Sequence, residues 1–366
     1  MRKLYNFALY LIPQLLLSSS VAFSQDTKLL NIYNWSDYIN PSVVDAFEKE
    51  YGIKVNYDIY DTSEIVDTKL LAGRSGYDVV FHGASFASRL LAIGVFQPLD
   101  KSKLSNWGNL DPIKLEAIEE FDPGNRFGMP YMWGTTGVTY NADMIEARLP
   151  NAPVDSYDLI FDPAVISKFS DCGVSFLDDP TSVVPMGMIY LGHPFNSVEP
   201  EHLEAVEELF TAVRPYIKYF SSSKLTIDLP SREVCIAMSW SGDYAVAITR
   251  AREVGIDLNL KYAIPAEGGI GWYDMVFIPA DASHSDNAHL FLNYLLRPNV
   301  IATVTNYIGY ANANQAANPL IIPEYYSDVA IYPDDETFQS LEITHILEPT
   351  LERRRSRTWT RIKSGL

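Results

Sequence analysis

Apolar residues recur along this chain at strand spacing and at helix spacing in turn. Leu29, Leu30, Ile32 and Tyr33 form a short apolar run that predicts a buried strand over 29–33. Asn40-Pro41 supplies an N-cap and a first-turn proline, Val43, Val44, Phe47 and Tyr51 follow at helical spacing, and Gly52 is placed to end that helix. Ile53, Val55, Tyr57 and Ile59 alternate as a strand does; Ile65, Val66, Leu70 and Leu71 fit a second helix, and Tyr77 to Phe81 a further strand. The order β-α-β-α-β is that of a mostly parallel sheet with helices on both faces. It returns later: a strand within 172–180, a helix over 201–213, a strand at 233–243 feeding a helix to Val254, strands at 262–265 and 275–280, and a helix over 288–298 that stops at Pro298. No repeat, low-complexity stretch or linker separates the halves. An α/β chain of 366 residues exceeds what one core usually serves, so two compact lobes are expected. The expected allotment is 25–134 with 251–305 in one lobe and 135–250 with 306–366 in the other.

Hydrophobic residues make up 47% and charged residues 20%, which excludes a disordered chain, and the 13% of aromatics suits a pocket as well as a core. Arg2 and Lys3, the apolar run Phe7–Leu17 and the small residues around Val21-Ala22-Phe23-Ser24 predict an export signal over residues 1–24. The run is too short to span a bilayer and no cysteine lies near the cleavage site, which argues against stable membrane insertion and against a lipid anchor. A formal charge of −18 repels nucleic acid and anionic membrane and concentrates cations at the surface. Cys172 and Cys235 are the only cysteines; in an exported chain such a pair favours a disulfide, worth about 4 kcal/mol on a chain-entropy argument, over a metal site. Six scattered histidines, with no HxxxH or CxxC, give a zinc site no support, and no cofactor is expected.

In open α/β sheets ligands sit beyond the carboxyl ends of the strands. Those ends here carry Trp35-Ser36-Asp37, Gly83-Ala84-Ser85, Asp178-Asp179 and Trp240-Ser241-Gly242-Asp243, and Trp272-Tyr273-Asp274 falls just before a strand. Three separate places therefore pair a tryptophan with a nearby aspartate. Indole faces attract an organic ammonium by about 0.5–2 kcal/mol each when desolvated. Carboxylates accept its charge-assisted hydrogen bonds. A sugar site would add Arg, Lys, Asn or Gln donors, which these segments nearly lack; a linear cation fits them better.

The chain after the signal resembles the periplasmic polyamine-binding proteins of bacterial ABC transporters, above all the putrescine-binding branch. The resemblance rests on "IYNWSDYI", "FQPLDKSKL", "NLDP", "MPYMWGTTGV", "APVDSYDLI", "CGVSFLDDP", "SWSGDY" and "FLNYLLRP", and extends through "YANANQAANPLI" and "RTWTRIKSGL". It implies a two-lobed periplasmic binding protein fold with a hinge and an interlobe cleft, a monomer in the periplasm that hands one linear polyamine to permease subunits. It also implies a Cys172–Cys235 disulfide. Trp35, Ser36, Asp37, Tyr38, Trp240, Asp243, Trp272, Asp274 and Tyr310 fall on ligand-contacting positions. Ser85, Asp178, Asp179, Ser182 and Ser222 complete the candidate set, while Trp133 reads as hinge packing.

Departures from the putrescine-binding branch bear on which polyamine is held. Ser182 stands where that branch has a glutamate, Gly83 where it has a serine, Asp179 where it has a small residue and Trp272 where it has a phenylalanine. The last two look like the spermidine-preferring branch, so spermidine is expected ahead of putrescine, with agmatine and cadaverine behind. A sensor that docks on a receptor is the alternative binding role. A hydrolase using two of the aspartates as acid and base is the enzymatic one. No GxSxG elbow is present and no histidine neighbours a candidate nucleophile, so no enzyme activity is expected.

Overall fold

The computed structural model describes residues 28–343, 345 and 347–365, so the segment read as an export signal lies outside the described residues. Among the described residues eleven strands are joined in one curled sheet. In chain order they are β1 (Leu29–Trp35), β2 (Lys54–Tyr60), β3 (Val79–Gly83), β4 (Gly128–Asn141), β5 (Val174–Phe176), β6 (Ile217–Phe220), β7 (Ile236–Trp240), β8 (Leu260–Ala263), β9 (Ile270–Phe277), β10 (Ala311–Asn312) and β11 (Glu342–Ile343). The main path runs β2-β1-β3-β9-β4-β7-β5-β6, with β8 and β10 on β4 and β11 on β9.

The flanks are parallel, as the β-α-β pattern predicts: β1 lies between β2 and β3, and β5 between β6 and β7. The centre is not. β9 is antiparallel to both β3 and β4, and β4 is antiparallel to β7. "Mostly parallel" therefore holds only at the two sides, because neighbouring strands that cross between two cores and return must run in opposite senses. At about 3.3 Å per residue the fourteen residues of β4 are long enough to serve both cores. Its Met129 and Tyr131 to Trp133 pack in the first core and Val138 in the second. β9 does the reverse, with Ile270 in the second core and Tyr273 and Met275 to Phe277 in the first.

The two cores share out the chain differently from the expected allotment. Leu260 and Ile270 pack in the second core rather than the first. Ile308, Tyr310, Ile321, Phe338 and Leu341 pack in the first rather than the second. The crossings lie inside β4, inside β9 and again between Ile343, which packs on the first core, and Leu347, which packs on the second.

Helix ends follow their cap residues. Asn40 Oδ1 accepts from the Ser42 amide ahead of helix Pro41–Tyr51, a cap worth about 1 kcal/mol. Pro298 does not merely end a helix: Ser285–Leu295 stops before it, and Pro298 then opens Pro298–Ile308 from the first-turn position where its missing N–H costs nothing. Cys172 and Cys235 are joined, tying the residue before β7 to the approach to β5. Trp133 is buried in the first core, its Nε1 donating to the Asn312 carbonyl at 3.2 Å. Among the described residues no helix is long and apolar enough to cross a membrane.

Candidate functional site

β1 ends in Trp35, and the chain then reverses through Asp37, whose φ of 55° is in the left-handed region that Asp tolerates better than most residues. The reversal leaves Ser36 and Asp37 exposed and buries Tyr38. The Tyr131 hydroxyl holds the turn by donating to the Tyr38 carbonyl at 2.8 Å. Tyr38 in turn donates to Asp274 Oδ2 at 2.8 Å.

Asp274 and Trp272 are two residues apart and so share one face of β9, while Tyr273 points into the first core. Trp272 lies opposite Gly134 of β4. A Cβ on Gly134 would stand 2.6 Å from the indole, so only glycine lets the ring rest there. Asp274 lies opposite Gly83 at the end of β3, and a Cβ at that position would be 3.6 Å from Oδ1. The serine of the putrescine-binding branch would thus stand against this oxygen. These tryptophan, tyrosine and aspartate residues belong to β9 itself rather than lying just before a strand. Polar residues on the half-buried face hid the strand from an apolar search.

β7 delivers Trp240, which is half-buried and touches both cores. The helix Ser241–Glu253 starts at once and carries Asp243 in its first turn. Tyr310 donates to Asp243 Oδ1 at 3.1 Å, and Asp243 Oδ2 is buried without a partner among the described residues. The Tyr310 ring lies directly over Gly242, where a Cβ would come within 2.2 Å of it. Its ring also meets Tyr38 at 5.4 Å and Trp272 at 5.4 Å, both edge-on. Tyr38, Asp274, Tyr310, Asp243 and Trp272 therefore form one connected group drawn from the turn after β1, from β9, from the helix after β7 and from the residue before β10.

Electrostatics set this group apart. Each aspartate keeps some surface open to solvent, yet protein crowds it on most sides. Burial pushes both carboxyls up to about 7, against the opposing pull of Tyr310 on Asp243 and of Tyr38 on Asp274. Arg250 acts on Asp243 only as a weaker cationic influence. Burial raises Tyr38 and Tyr310 well above the ordinary tyrosine range, so both remain hydroxyl donors. Trp35 packs against Tyr60 at 4.4 Å, and Tyr60 is electrostatically coupled to Asp274. The indole N–H groups of Trp35 and Trp272 are buried without partners among the described residues, so packing alone holds these rings.

The remaining candidates lie at the edges. Ser36 Oγ donates to Asp61 at 2.9 Å on the exposed rim. Ser85 sits half-buried in the first turn of helix Ala84–Ala92, whose N-cap is Gly83. Asp179 caps helix Pro180–Tyr190: its Oδ1 accepts from the Thr181 amide and hydroxyl, and its Oδ2 from Ser182 Oγ at 2.6 Å. Asp178 donates its amide to Ser222 Oγ, and its Oδ1 accepts from Trp359 Nε1 at 2.9 Å and Lys363 Nζ at 2.6 Å. Asp178, Asp179, Ser182 and Ser222 thus form a second group, already partnered, with no hydrogen bond or ion pair to the first among the described residues. Tyr60 was missed by the sequence reading, although it ends β2 level with Trp35 at the end of β1. Lys363 and Trp359 were missed because neither lies near a strand end.

Residues 42–333 match the family described as bacterial extracellular solute-binding protein. The chain is 46% identical over 348 residues, 95% of each chain, to the putrescine-binding periplasmic protein SpuD of Pseudomonas aeruginosa. It is 33% identical over 329 residues, 90% of each, to the spermidine/putrescine-binding periplasmic protein of Escherichia coli. Among solved structures it is similar to the spermidine/putrescine ABC transporter substrate-binding protein PotD of Streptococcus pneumoniae, at 29% identity and a TM-score of 0.78 over 92% of this chain and 99% of that one. The two sequence relatives are named as periplasmic binding proteins and the solved structure as the substrate-binding protein of an ABC transporter; none of the three is named as an enzyme.

Proposed function

Because this chain belongs to the bacterial extracellular solute-binding proteins, we propose that it captures one linear polyamine in the periplasm, between its two cores, and delivers it to an ABC permease. The observation that carries the reading is the pair Asp243 and Asp274, each bonded to a tyrosine hydroxyl, each crowded by protein with little surface left to water, and neither ion-paired in the structure. A protonated diamine supplies the missing counter-charge at both ends, and the rings of Trp272, Tyr310 and Trp240 suit the methylene chain between. Micromolar binding needs about 8 kcal/mol net. Two desolvated ion pairs, at about 1.5–3 kcal/mol for each charged hydrogen bond, together with a buried alkyl chain can reach it.

The ligand we favour is putrescine, not the spermidine expected from Asp179 and Trp272. Asp179 spends both oxygens on a helix cap and is a poor extra anchor. The relative at 46% identity is named for putrescine, whereas the one named for spermidine and putrescine together stands at 33%. Calorimetric titration of the mature protein with putrescine, spermidine, agmatine and glucose tests the proposal. One putrescine per chain, bound most tightly and recovered unchanged, is the expected result; no heat with any polyamine would overturn it.

A further inference from the structure

The second acidic group is occupied by cations from the chain's own C-terminal helix, Pro349–Ser364. Lys363 Nζ and Trp359 Nε1 both donate to Asp178 Oδ1. Earlier on that helix Arg355 is buried, coupled electrostatically to Glu352 and to Asp179; its Nη2 donates to Asn196 Oδ1 at 3.3 Å, while Nε and Nη1 have no hydrogen-bond partner among the described residues. Strand register says where this group stands. β5 and β7 pair in parallel with Ser175 level with Ala237. Because the two strands run the same way, they leave the sheet at the same end, β7 through Trp240 and β5 through Leu177 into Asp178. Asp178 is therefore the next carboxylate along the strand ends from the Trp240 wall and the start of the Asp243 helix.

We propose that Lys363 is a specificity-determining residue: its ammonium sits at Asp178 where the third ammonium of a longer polyamine would need its counter-ion. The inference rests on the polyamine reading above. A diamine needs two anions, and Asp243 and Asp274 supply them. A triamine brings one more charge, meets Lys363 in place of a free carboxylate, and must either displace the lysine or leave an ammonium unpaired beside a like charge. The Lys363 side chain is about one-third exposed, so its head can be removed without opening the core.

The test is titration of wild type, Lys363→Ala and Lys363→Arg with putrescine and with spermidine. Lys363→Ala should keep putrescine affinity within about threefold while the spermidine-to-putrescine affinity ratio rises about tenfold or more, and Lys363→Arg should keep the wild-type ratio. An unchanged ratio in Lys363→Ala, or an equal loss for both ligands, would overturn the inference. Lys363→Gln provides a second neutral side chain should the alanine variant misfold. Wild type that binds putrescine isolates a failure here from a failure of the underlying reading; wild type that binds neither amine sinks both.

Discussion

Two groups of aspartates sit at the strand ends, and they differ in who answers their charge. Asp178 and Asp179 are satisfied at home, by Lys363, Trp359, a helix N-terminus and two hydroxyls. Asp243 and Asp274 have a tyrosine each and little water. Acidic residues at strand ends are therefore not interchangeable as evidence of a cation site. A carboxylate already paired gains little from an incoming ammonium, because it must give up a partner first. A carboxylate kept poor in partners costs the empty protein stability, and it repays that cost only when a cation arrives.

Asp243→Asn and Asp274→Asn should test the contrast with the largest effects. Each should weaken putrescine binding roughly 10- to 100-fold, the 1.5–3 kcal/mol of a charged hydrogen bond. Each should also raise the melting temperature of the empty protein above neutral pH, because a desolvated charge is removed. Loss of binding accompanied by lower stability would mean that these residues hold the fold and not the ligand. Gly242→Ala drives a methyl into the Tyr310 ring. It should weaken binding about tenfold, since it moves the hydroxyl that orients Asp243; titration and a thermal melt together separate this from unfolding.

Acidity gives an intermediate effect. Both inner carboxyls are raised toward 7 by burial, so the empty fold holds protons that the unfolded chain would release. Their contribution to the stability of the empty protein is therefore present below the ordinary aspartate range and is lost as pH rises through about 7. A cationic ligand needs the ionised forms, so its affinity should run the opposite way. It should rise by up to about tenfold per pH unit per carboxyl below 7 and level off above it. Titrations across that range measure the slope. Asp178→Asn should have the smallest effect, less than about threefold on putrescine, because that carboxylate already has two donors.

The sequence made the strand ends legible, and with them Trp35, Tyr38, Trp240 and Asp243, because apolar runs ending in polar clusters survive in one dimension. It hid the crossing strands. β4 is buried on both faces along most of its length, so it shows no alternation, and Pro130, Gly134 and Gly137, with a register irregularity between Pro130 and Met132, break up a run otherwise rich in strand-favouring Tyr, Trp, Thr and Val. Without β4 the antiparallel centre of the sheet could not be seen. The state of Asp178 and Asp179 was hidden for another reason: their partners, Lys363 among them, come from a helix more than 150 residues away or from the cap geometry of the following turn. Strand-end position marks where a ligand can sit; only the packed chain shows which carboxylates are left for it.

Proton linkage on ligand binding tests the central claim most directly. Putrescine should be titrated into the protein near pH 6 and near pH 8, in buffers of different ionisation enthalpy. If two half-buried carboxyls near 7 ionise to receive the two ammonium groups, binding should release between about one and two protons at the lower pH and few at the higher. Binding that is tight at both pH values with no proton release, or with uptake, would contradict the claim that Asp243 and Asp274 receive the ligand's charge.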